Sequence, residues 1–461
     1  MSAAPHYFVC GIGGSGMLPL AIILQGLGYT VSGSDRSRDQ GRTPEKFAWI
    51  EEQGITLHPQ DGSGIAKDIS CVVISKAVED TVPDIAAAKA LGVPVRMRAN
   101  VLIGLFNKAG TRIAVSGTSG KTTTTGMIGF LLKEAGMDPS VMNGGIFRNY
   151  IKDNPYSTAF VGGGDAFVTE VDESDGIDVV TAYEPDIAVI HNITLDHQPM
   201  DELRRMFSGF LAKTKTAVVN ADDAGVMELA GDFGRRTITY GAKGDIAASD
   251  YVSHPDGIEA MISAGAEKVR LKLRLPGRHN ISNALAAMAV ARAVGIPLAK
   301  AADILSRFEG IRRRMEVLGT KNGITVMDDF AHNPDKIAAT LSTLREFPGR
   351  LHVFFQPHGY GFLKVVGAEL GQAFADYLGP EDTLYMVEPF YAGGTVDRSI
   401  GAAQIVADIV KRGRQARLMD GRETAKTTIL AACQPGDRIV VMGARDDSLS
   451  AFACDIFATI G

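Results

Sequence analysis

Cysteine is scarce in this chain, with four residues in 461: Cys10, Cys71, Cys433 and Cys454. They lie far apart, and no two of them form a C-x-x-C pair. A zinc knuckle needs paired cysteines, and a disulfide framework is typical of short secreted chains. The sequence therefore predicts reduced, mostly buried thiols that hold neither a zinc ion nor a disulfide.

Long apolar runs and a strong charge of either sign are also missing. No apolar run reaches the ~18 residues needed to cross a bilayer, and the first residues lack the basic and apolar regions of a signal peptide. The formal net charge is −6 with lysines and arginines scattered along the chain, which excludes a basic field for nucleic acid. We therefore expect a soluble, cytoplasmic protein that binds neither nucleic acid nor a membrane.

Short apolar runs alternate with helical patterns along the whole chain, which is typical of α/β folds with parallel sheets. A chain of 461 residues is too long for one ordinary core. We predict three α/β domains, at residues 1–106, 107–314 and 315–461. Strands are predicted at residues 7–11, 30–34, 71–75, 167–171, 187–190, 324–327, 351–355, 383–387 and 438–442. Helices are predicted at residues 17–27, 85–91 and 284–294.

The most informative segment is I-A-V-S-G-T-S-G-K-T-T-T-T-G-M, residues 113–127. It predicts a strand, a glycine-rich turn and the start of a helix. Gly117 and Gly120 can adopt angles closed to other residues, so that backbone N–H groups converge on an anion. Lys121 adds a positive charge and Thr122 a hydroxyl for a metal ion. We infer a variant phosphate-binding loop, shorter than the usual one, for a nucleoside triphosphate with Mg²⁺ or Mn²⁺.

A second glycine-rich turn, C-G-I-G-G-S-G-M at residues 10–17, follows the first predicted strand. Gly11, Gly13 and Gly16 match the dinucleotide fingerprint, and Asp35 ends the next predicted strand. On these residues alone, an NAD-dependent oxidoreductase is one interpretation. The same helix terminus can bind the pyrophosphate of a UDP-sugar, or the turn can be purely structural.

Acidic and histidine residues follow two further predicted strands, in F-V-T-E-V-D-E-S-D-G at 167–176 and H-N-I-T-L-D-H at 191–197. The carboxyl ends of parallel strands meet at one crevice, so Glu170 and His197 are expected near the metal held by Thr122. Alternatively, the acidic residues form a solvated turn and the histidine is structural.

A third group of polar residues lies further along the chain. Asn280 and Asn283 can present amides to a base or a phosphate, and Arg314 can clamp phosphate oxygens. Asp329 can hold a ribose. Each of these is weak alone, because a Gly-Arg-His-Asn turn can be a helix cap and an arginine run a solvated face.

Taken in this order, the motifs resemble those of the Mur ligases, the ATP-dependent amide-forming enzymes of peptidoglycan precursor synthesis. The N-terminus and D-D-F-A-H-N-P at 328–334 are most similar to the alanine-adding and peptide-adding members. The resemblance rests on G-T-S-G-K-T-T at 117–123, E-V-D-E-S-D at 170–175, N-I-T-L-D-H at 192–197, I-T-Y-G at 238–241, L-P-G-R-H-N-I-S-N at 275–283 and R-R-M-E at 313–316.

The resemblance implies an N-terminal Rossmann-like UDP-binding domain, a central P-loop ATPase-like domain and a C-terminal Rossmann-like domain that binds the acceptor. It implies a ligase that joins an amino acid, L-alanine by default, to the lactyl carboxylate of UDP-N-acetylmuramate through an acyl phosphate. A peptide or another amine as acceptor, and a binding subunit without turnover, are the alternatives. A monomer or a homodimer is expected.

The resemblance also implies site residues. The UDP-linked substrate is expected at Gly11, Gly13, Gly14, Ser15, Gly16, Met17 and Asp35. ATP is expected at Gly117, Thr118, Ser119, Gly120, Lys121, Thr122, Thr123, Asn280, Asn283, Arg314 and Asp329. Catalysis is expected from Lys121, Glu170, His197, Arg314 and His332, with Thr122, Glu170 and His197 as metal ligands.

The largest departure from the family concerns the acceptor. Alanine-adding members read F-Q-P-H-R-Y-[ST]-R, and their two arginines clamp the carboxylate of the amino acid, whereas this chain has Gly359 and Phe362 at those positions. The remaining candidates for acceptor binding are His332, His358, Lys364 and Arg398. Asp446 and Asp447 can receive a cationic acceptor or form a surface turn, and Lys213 is the candidate counterpart of a carbamylated lysine in some relatives.

Overall fold

The computed structural model describes residues 4–76, 78–193, 199–231, 233–390, 398–444, 446 and 448–461. The chain divides into two compact units. The first comprises residues 1–248, 262–269 and 282–305, and the second comprises residues 249–261, 270–281 and 306–461.

The first unit begins with a parallel five-stranded sheet in the order β3-β2-β1-β4-β5. Its strands are β1 (His6–Cys10), β2 (Thr30–Ser34), β3 (Thr56–His58), β4 (Cys71–Ile74) and β5 (Val95–Met97). Its helices are α1 (Met17–Gly26), α2 (Arg36–Asp39), α3 (Pro44–Glu52), α4 (Pro83–Leu91) and α5 (Arg98–Phe106). The glycine-rich turn leaves the carboxyl end of the central strand β1, where open α/β sheets bind ligands.

The first unit continues with a seven-stranded sheet in the order β12-β11-β10-β6-β9-β7-β8. Its strands are β6 (Thr111–Ser116), β7 (Ser140–Met142), β8 (Ala159–Phe160), β9 (Ala166–Glu170), β10 (Ile187–Ile190), β11 (Thr216–Asn220) and β12 (Arg236–Tyr240). Its helices are α6 (Lys121–Glu134), α7 (Ile177–Val180), α8 (Met200–Ala212) and α9 (Ala224–Gly231). Strand β6 lies between β9 and β10, parallel to both, so the phosphate loop has a strand end on each side.

Three strands, β13 (Ala247–His254), β14 (Gly257–Ala264) and β15 (Glu267–Leu273), form a separate sheet before helices α10 (Arg278–Ala293) and α11 (Leu298–Leu305). The prediction that α10 starts at Ala284 was wrong by six residues, because the polar run from Arg278 already has helical backbone. Gly277, at φ +94°, makes the turn into the helix, and the Asn280 side chain donates to the carbonyl of Pro276 at 2.7 Å.

The second unit contains a six-stranded sheet in the order β16-β17-β21-β18-β19-β20, parallel except for the β16–β17 pair. Its strands are β16 (Glu316–Lys321), β17 (Ile324–Asp329), β18 (Leu351–Gln356), β19 (Thr383–Met386), β20 (Gln415–Leu418) and β21 (Arg438–Gly443). Its helices are α12 (Pro334–Leu344), α13 (Tyr360–Tyr377), α14 (Ala402–Lys411), α15 (Arg422–Ala432) and α16 (Ser448–Thr459).

Strand β18 explains why the parallel strands read as continuous apolar runs. Leu351, Val353 and Phe355 belong to the core on one face of the sheet, and Phe354 belongs to the core on the other face. A strand covered on both faces has no solvent side for polar residues. The predicted strands are therefore confirmed, with ends that differ by at most two residues.

The four cysteines are free thiols, and Cys10 and Cys71 are buried. Over the residues that the structure describes, no helix has the length and apolar character that a membrane span requires.

Candidate functional site

Two glycines with left-handed backbone angles shape the loop between β6 and α6. Gly117 has a φ of +126°, and Gly120, the residue before α6, has a φ of +83°. A Cβ atom on Gly117 would lie 3.0 Å from the backbone nitrogen of Asn192. Both positions therefore favour glycine, and the loop leads into a helix N-terminus, where unpaired N–H groups attract anions.

Asn192, the second residue after the neighbouring strand β10, holds this loop. Its Oδ1 accepts hydrogen bonds from the Thr118 hydroxyl at 2.9 Å and from the Ser119 backbone N–H at 2.8 Å. Its Nδ2 donates to the Ser119 hydroxyl at 2.7 Å. The loop is thus tied to the adjacent strand, an arrangement that sequence reasoning, which treated Asn192 only as part of a motif, had missed.

Lys121, the first residue of α6, is bound within the protein. Its Nζ donates to the carbonyl of Gly117 at 2.8 Å and to Oε2 of Glu173 at 2.6 Å. Glu173 is only 1% exposed. Burial lowers the pKa of the Lys121 amine, but the Glu173 and Asp172 carboxylates outweigh this effect and raise the pKa. Lys121 therefore carries its charge at neutral pH.

Thr122 and Glu170 place two oxygen ligands beside the loop. The Thr122 hydroxyl donates to Oε2 of Glu170, at the end of β9, over 2.9 Å. A Cβ on Gly144 would lie 2.0 Å from Oε1 of the same carboxylate, so Gly144 leaves room for it. A hydroxyl with a carboxylate is a donor set that suits Mg²⁺ or Mn²⁺. His197, the third predicted ligand, lies outside the described residues.

Asn283, on helix α10, also borders the loop. Its Oδ1 accepts from the Thr124 hydroxyl at 3.1 Å and would lie 2.8 Å from a Cβ on Gly120. Thr123 is buried within α6. The structure thus brings Asn283 to the phosphate loop, whereas the Asn280 side chain serves the turn before its own helix.

Replacing Glu173 by Gln tests the ion pair with Lys121. Without the carboxylate, a buried ammonium loses its ionic partner, which costs about 3 kcal/mol of unfolding free energy. We also expect tighter binding of Mg-ATP, because no carboxylate competes with phosphate for Lys121. Calorimetric titration and denaturant unfolding measure both quantities.

Asp172→Asn is the matched control, because Asp172 is exposed and caps the same turn through the Ser174 N–H at 3.0 Å. Equal effects of the two substitutions on stability and on Mg-ATP affinity would contradict a specific role of the Glu173 ion pair.

The glycine-rich turn after β1 is held by Asp35. One carboxylate oxygen accepts from the Gly13 N–H at 2.8 Å and the other from the Ser37 N–H, also at 2.8 Å. The N–H of Gly11, at φ +77°, donates to the carbonyl of Ser34 at 2.8 Å. Asp35 therefore shapes the loop through its backbone. Helix α1, which starts at Met17, has no acidic residue in its first turn to repel an anion.

Two cations that sequence reasoning did not single out contact the acidic segment after β9, and one of them also lies beside this turn. Arg98 Nη2 contacts Oδ2 of Asp175 at 3.2 Å, and its Cδ and Nε would lie 3.3 Å from a Cβ on Gly16. Lys76 donates to the carbonyls of Ser174 and Asp175 at 3.1 and 3.0 Å. The acidic segment is therefore only partly the solvated turn that the composition allowed, because Asp175 is ion-paired and Glu173 is buried, whereas Asp172 is exposed.

In the second unit, Arg314 lies between two residues with strained backbones. Arg313 has a φ of +58° and Met315 a φ of +51°. Such angles cost about 1 kcal/mol or more for residues with a Cβ and persist where the surroundings enforce them. The guanidinium carbon of Arg314 lies 4.5 Å from the centre of the Phe330 ring.

Buried carboxylates enforce this conformation. Oδ1 of Asp329 accepts from the Met315 N–H at 3.1 Å, and its Oδ2 accepts from the Thr340 hydroxyl at 2.5 Å. Glu316 accepts from the Arg313 N–H at 2.9 Å. Burial raises the pKa of Asp329, although these hydrogen bonds oppose the shift. Asp329 therefore shapes the backbone around Arg314.

His332 and His358 form an aromatic cluster with Phe330 and Phe362. The ring centres of the two histidines are 5.1 Å apart, and those of His358 and Phe362 are 4.0 Å apart. His332 donates from Nδ1 to the carbonyl of Phe330 at 2.9 Å. Burial lowers the pKa of His332 to about 3, so the imidazole is neutral at physiological pH.

The other acceptor candidates lie around the start of α13. Lys364 is exposed on this helix, and the exposed Arg398 has its guanidinium 5.5 Å from the ring centre of Tyr360. Among the residues that the structure describes, nothing lies within 4 Å of a Cβ built on Gly359 or Gly361. The loss of an arginine at Gly359 is therefore not due to a lack of space.

Asp446 is not part of a surface turn, and that interpretation was wrong. It is 8% exposed, forms an ion pair with Arg422 and accepts from the Ser448 N–H at 3.0 Å. The Asp446 carboxylate is therefore engaged by residues of the protein itself. Asp447 lies outside the described residues. Lys213 is the C-cap residue that directly follows helix α8.

The pKa of His332 leads to a pH prediction. The folded state excludes a proton that the unfolded chain binds below about pH 6.5. His332 therefore lowers stability as the pH falls from 6.5 towards 3, and His332→Asn should lose less unfolding free energy over this range than the wild type. Urea unfolding at several pH values measures the difference. Identical slopes for His332→Asn and the wild type would contradict the assignment.

Three family models match successive parts of the chain. They are the Mur ligase family, catalytic domain, at residues 6–109, the Mur ligase middle domain at residues 115–291, and the Mur ligase, glutamate ligase domain at residues 313–445.

Curated relatives match over nearly the full length. The UDP-N-acetylmuramate–L-alanine ligase of Streptomyces coelicolor is 34% identical over 458 residues, which cover 96% of this chain and 95% of that protein. The ligase of the same name from Cereibacter sphaeroides is 34% identical over an alignment of 474 positions, which covers 99% of this chain and 96% of that protein. The chain belongs to the Mur ligase family.

Solved structures agree with this result. The UDP-N-acetylmuramate-alanine ligase of Thermotoga maritima superposes with a TM-score of 0.79 at 26% identity, covering 98% of each chain. A murein peptide ligase of Psychrobacter arcticus shares the fold with a TM-score of 0.71 at 22% identity, covering 99% of each chain. The predicted family and three-domain α/β fold are thus confirmed.

Proposed function

We propose that this protein is an ATP-dependent, ADP-forming ligase that joins an amino acid to the lactyl carboxylate of UDP-N-acetylmuramate in peptidoglycan precursor synthesis. L-Alanine is the default acceptor, as the names of the full-length relatives suggest. The reaction is assigned to the cytoplasm, where ATP and UDP-linked sugars are available. The limits of the three domains, at residues 106 and 314, remain part of this proposal.

The observation that carries the proposal is the loop after β6, where Lys121 and the Thr122–Glu170 pair meet at one helix N-terminus. Lys121 supplies a permanent charge for the β- and γ-phosphates. The N–H groups at the start of α6 supply further donors to phosphate oxygens. A dehydrogenase needs none of these groups, which argues against the oxidoreductase interpretation of the turn after β1.

Thr122 and Glu170 are the proposed ligands of a divalent cation, with His197 as a further candidate. Their oxygens suit Mg²⁺ or Mn²⁺ and lie next to the loop that would hold the triphosphate. When bound, the cation would neutralise charge on the phosphates and help to align them.

The proposed reaction has two steps. In the first, a lactyl carboxylate oxygen attacks the γ-phosphorus of ATP, the bond from that phosphorus to the bridging oxygen breaks, and ADP leaves. In the second, the amine of the acceptor attacks the acyl carbon, phosphate leaves with the bonding electron pair, and the nitrogen loses a proton. Lys121 stabilises the charge that develops on the phosphoryl oxygens, and Arg314 is the proposed second cation.

The turn after β1 is the proposed site of the UDP moiety. Asp35 positions the turn through the backbone N–H of Gly13, and the N-terminus of α1 is proposed to face the pyrophosphate. Arg98, which lies against Gly16, adds a positive charge at the same helix terminus.

The acceptor is the proposed partner of the aromatic cluster in the second unit. The neutral His332 and the neighbouring His358 ring can orient an amine, and Phe362 offers an apolar surface in place of an arginine. Phe362 also favours a second candidate acceptor, namely a peptide or another amine that has no carboxylate at this position.

Phosphate release from Mg-ATP with UDP-N-acetylmuramate tests the function, with mass detection of the product. L-Alanine, the other amino acids and short peptides are compared as acceptors. We expect turnover with at least one of them, and at least a hundredfold slower turnover for Lys121→Ala, because a phosphate-binding charge is lost. No turnover with any acceptor would refute the ligase assignment.

Gly359→Arg tests how the acceptor is recognised. If a guanidinium at this position can bind the carboxylate of an amino acid, the KM for L-alanine should fall about tenfold, the effect of one charge-assisted hydrogen bond. Gly361→Arg is the matched control, because a side chain has open space there as well. A higher KM for L-alanine in Gly359→Arg alone would instead indicate that this space receives a larger acceptor.

A further inference from the structure

His191, directly after β10, packs against the phosphate loop. It is 5% exposed, and its backbone N–H donates to the carbonyl of Ser116, the last residue of β6, at 3.1 Å. Its ring atoms Cδ2 and Nε2 would lie 2.7 and 3.0 Å from a Cβ on Gly120. The imidazole edge thus occupies the space that a side chain on Gly120 would need, directly before Lys121.

Tyr240, the last residue of β12, determines how this imidazole is oriented. Its hydroxyl lies 2.5 Å from Nδ1 of His191, and the two rings stack with centres 5.7 Å apart at an angle of 25°. Tyr240 is fully buried. A buried phenol needs an acceptor for its proton, so the hydroxyl donates to Nδ1 and the ring proton sits on Nε2, at the edge that faces the loop.

The contact matters because Gly120 has the left-handed backbone that turns the chain into α6. Glycine loses more conformational freedom on ordering than any other residue. A rigid ring pressed against it limits the conformations of the loop and thereby keeps the N–H groups and Lys121 directed to one point. Asn220, whose Nδ2 donates to the carbonyl of His191 at 3.0 Å, fixes the backbone of the histidine.

We propose that the His191–Tyr240 pair is a positioning device for ATP, in which Tyr240 orients the imidazole and the imidazole holds the phosphate loop at Gly120 in its binding conformation. This inference rests on the proposed use of the loop for ATP. The two residues are not expected to take part in binding the sugar-linked donor or the acceptor.

Tyr240→Phe removes only the hydroxyl that orients the ring. We expect the affinity for Mg-ATP and the nonhydrolysable analogue Mg-AMP-PNP to fall about tenfold, as for the loss of one buried hydrogen bond. The KM for ATP should rise by a similar factor, while the KM for UDP-N-acetylmuramate should stay within twofold of the wild-type value. Titration calorimetry and steady-state kinetics measure these quantities.

The chain offers a matched control in the second unit. The hydroxyl of Tyr385 lies 3.2 Å from Nδ1 of the buried His352, with ring centres 6.0 Å apart at an angle of 24°. Tyr385→Phe removes an equivalent buried hydroxyl away from any phosphate loop. It should lower the melting temperature as Tyr240→Phe does and leave the affinity for the ATP analogue unchanged.

A double-mutant cycle tests whether the effect passes through the histidine. His191→Phe keeps a ring against Gly120 but cannot accept from Tyr240, so adding Tyr240→Phe should weaken nucleotide binding no further. Equal analogue affinities for the wild type and Tyr240→Phe, a parallel loss of donor affinity, or additive effects in the cycle would overturn the inference. Failure of the wild type to bind Mg-AMP-PNP would instead refute the ATP site itself.

Discussion

The hydrogen bonds between the Asn192 side chain and Thr118 and Ser119 are the interaction on which the phosphate loop depends. A loop with two glycines is costly to order, and its N–H groups bind an anion only if they converge. Strand β10 is rigid because it lies next to β6 within a buried sheet. The Asn192 side chain ties the loop to this rigid strand. The loop in turn fixes the direction of Lys121 and Thr122 at the start of α6.

Two carboxylates three residues apart have different roles because their surroundings differ. Glu170 ends β9 and meets the Thr122 hydroxyl at the edge of the sheet, where a cation can join them. Glu173 is buried, and its partner is the Lys121 ammonium. A buried charge needs such a partner, so the same acidic segment provides one carboxylate that pairs with the Thr122 hydroxyl and one that keeps the lysine charged.

In the second unit, a strained backbone is maintained by buried polar groups. Arg313 and Met315 adopt left-handed angles next to Arg314, and Asp329 and Glu316 accept the N–H groups that this conformation directs inward. Buried N–H groups without acceptors would cost more than the strain itself. The direction of Arg314 is thus a property of the hairpin formed by β16 and β17.

The sequence by itself determined the α/β architecture, most strand positions, the phosphate loop and the family, because these depend on local periodicity, glycine positions and motif order. It did not reveal that Glu173 pairs with Lys121, or that Asp446 is buried beside Arg422. Nor did it indicate that His191 and Tyr240 meet behind Gly120. These contacts join residues 24 to 52 positions apart, and only the order of strands in the sheets, which local sequence does not encode, brings them together.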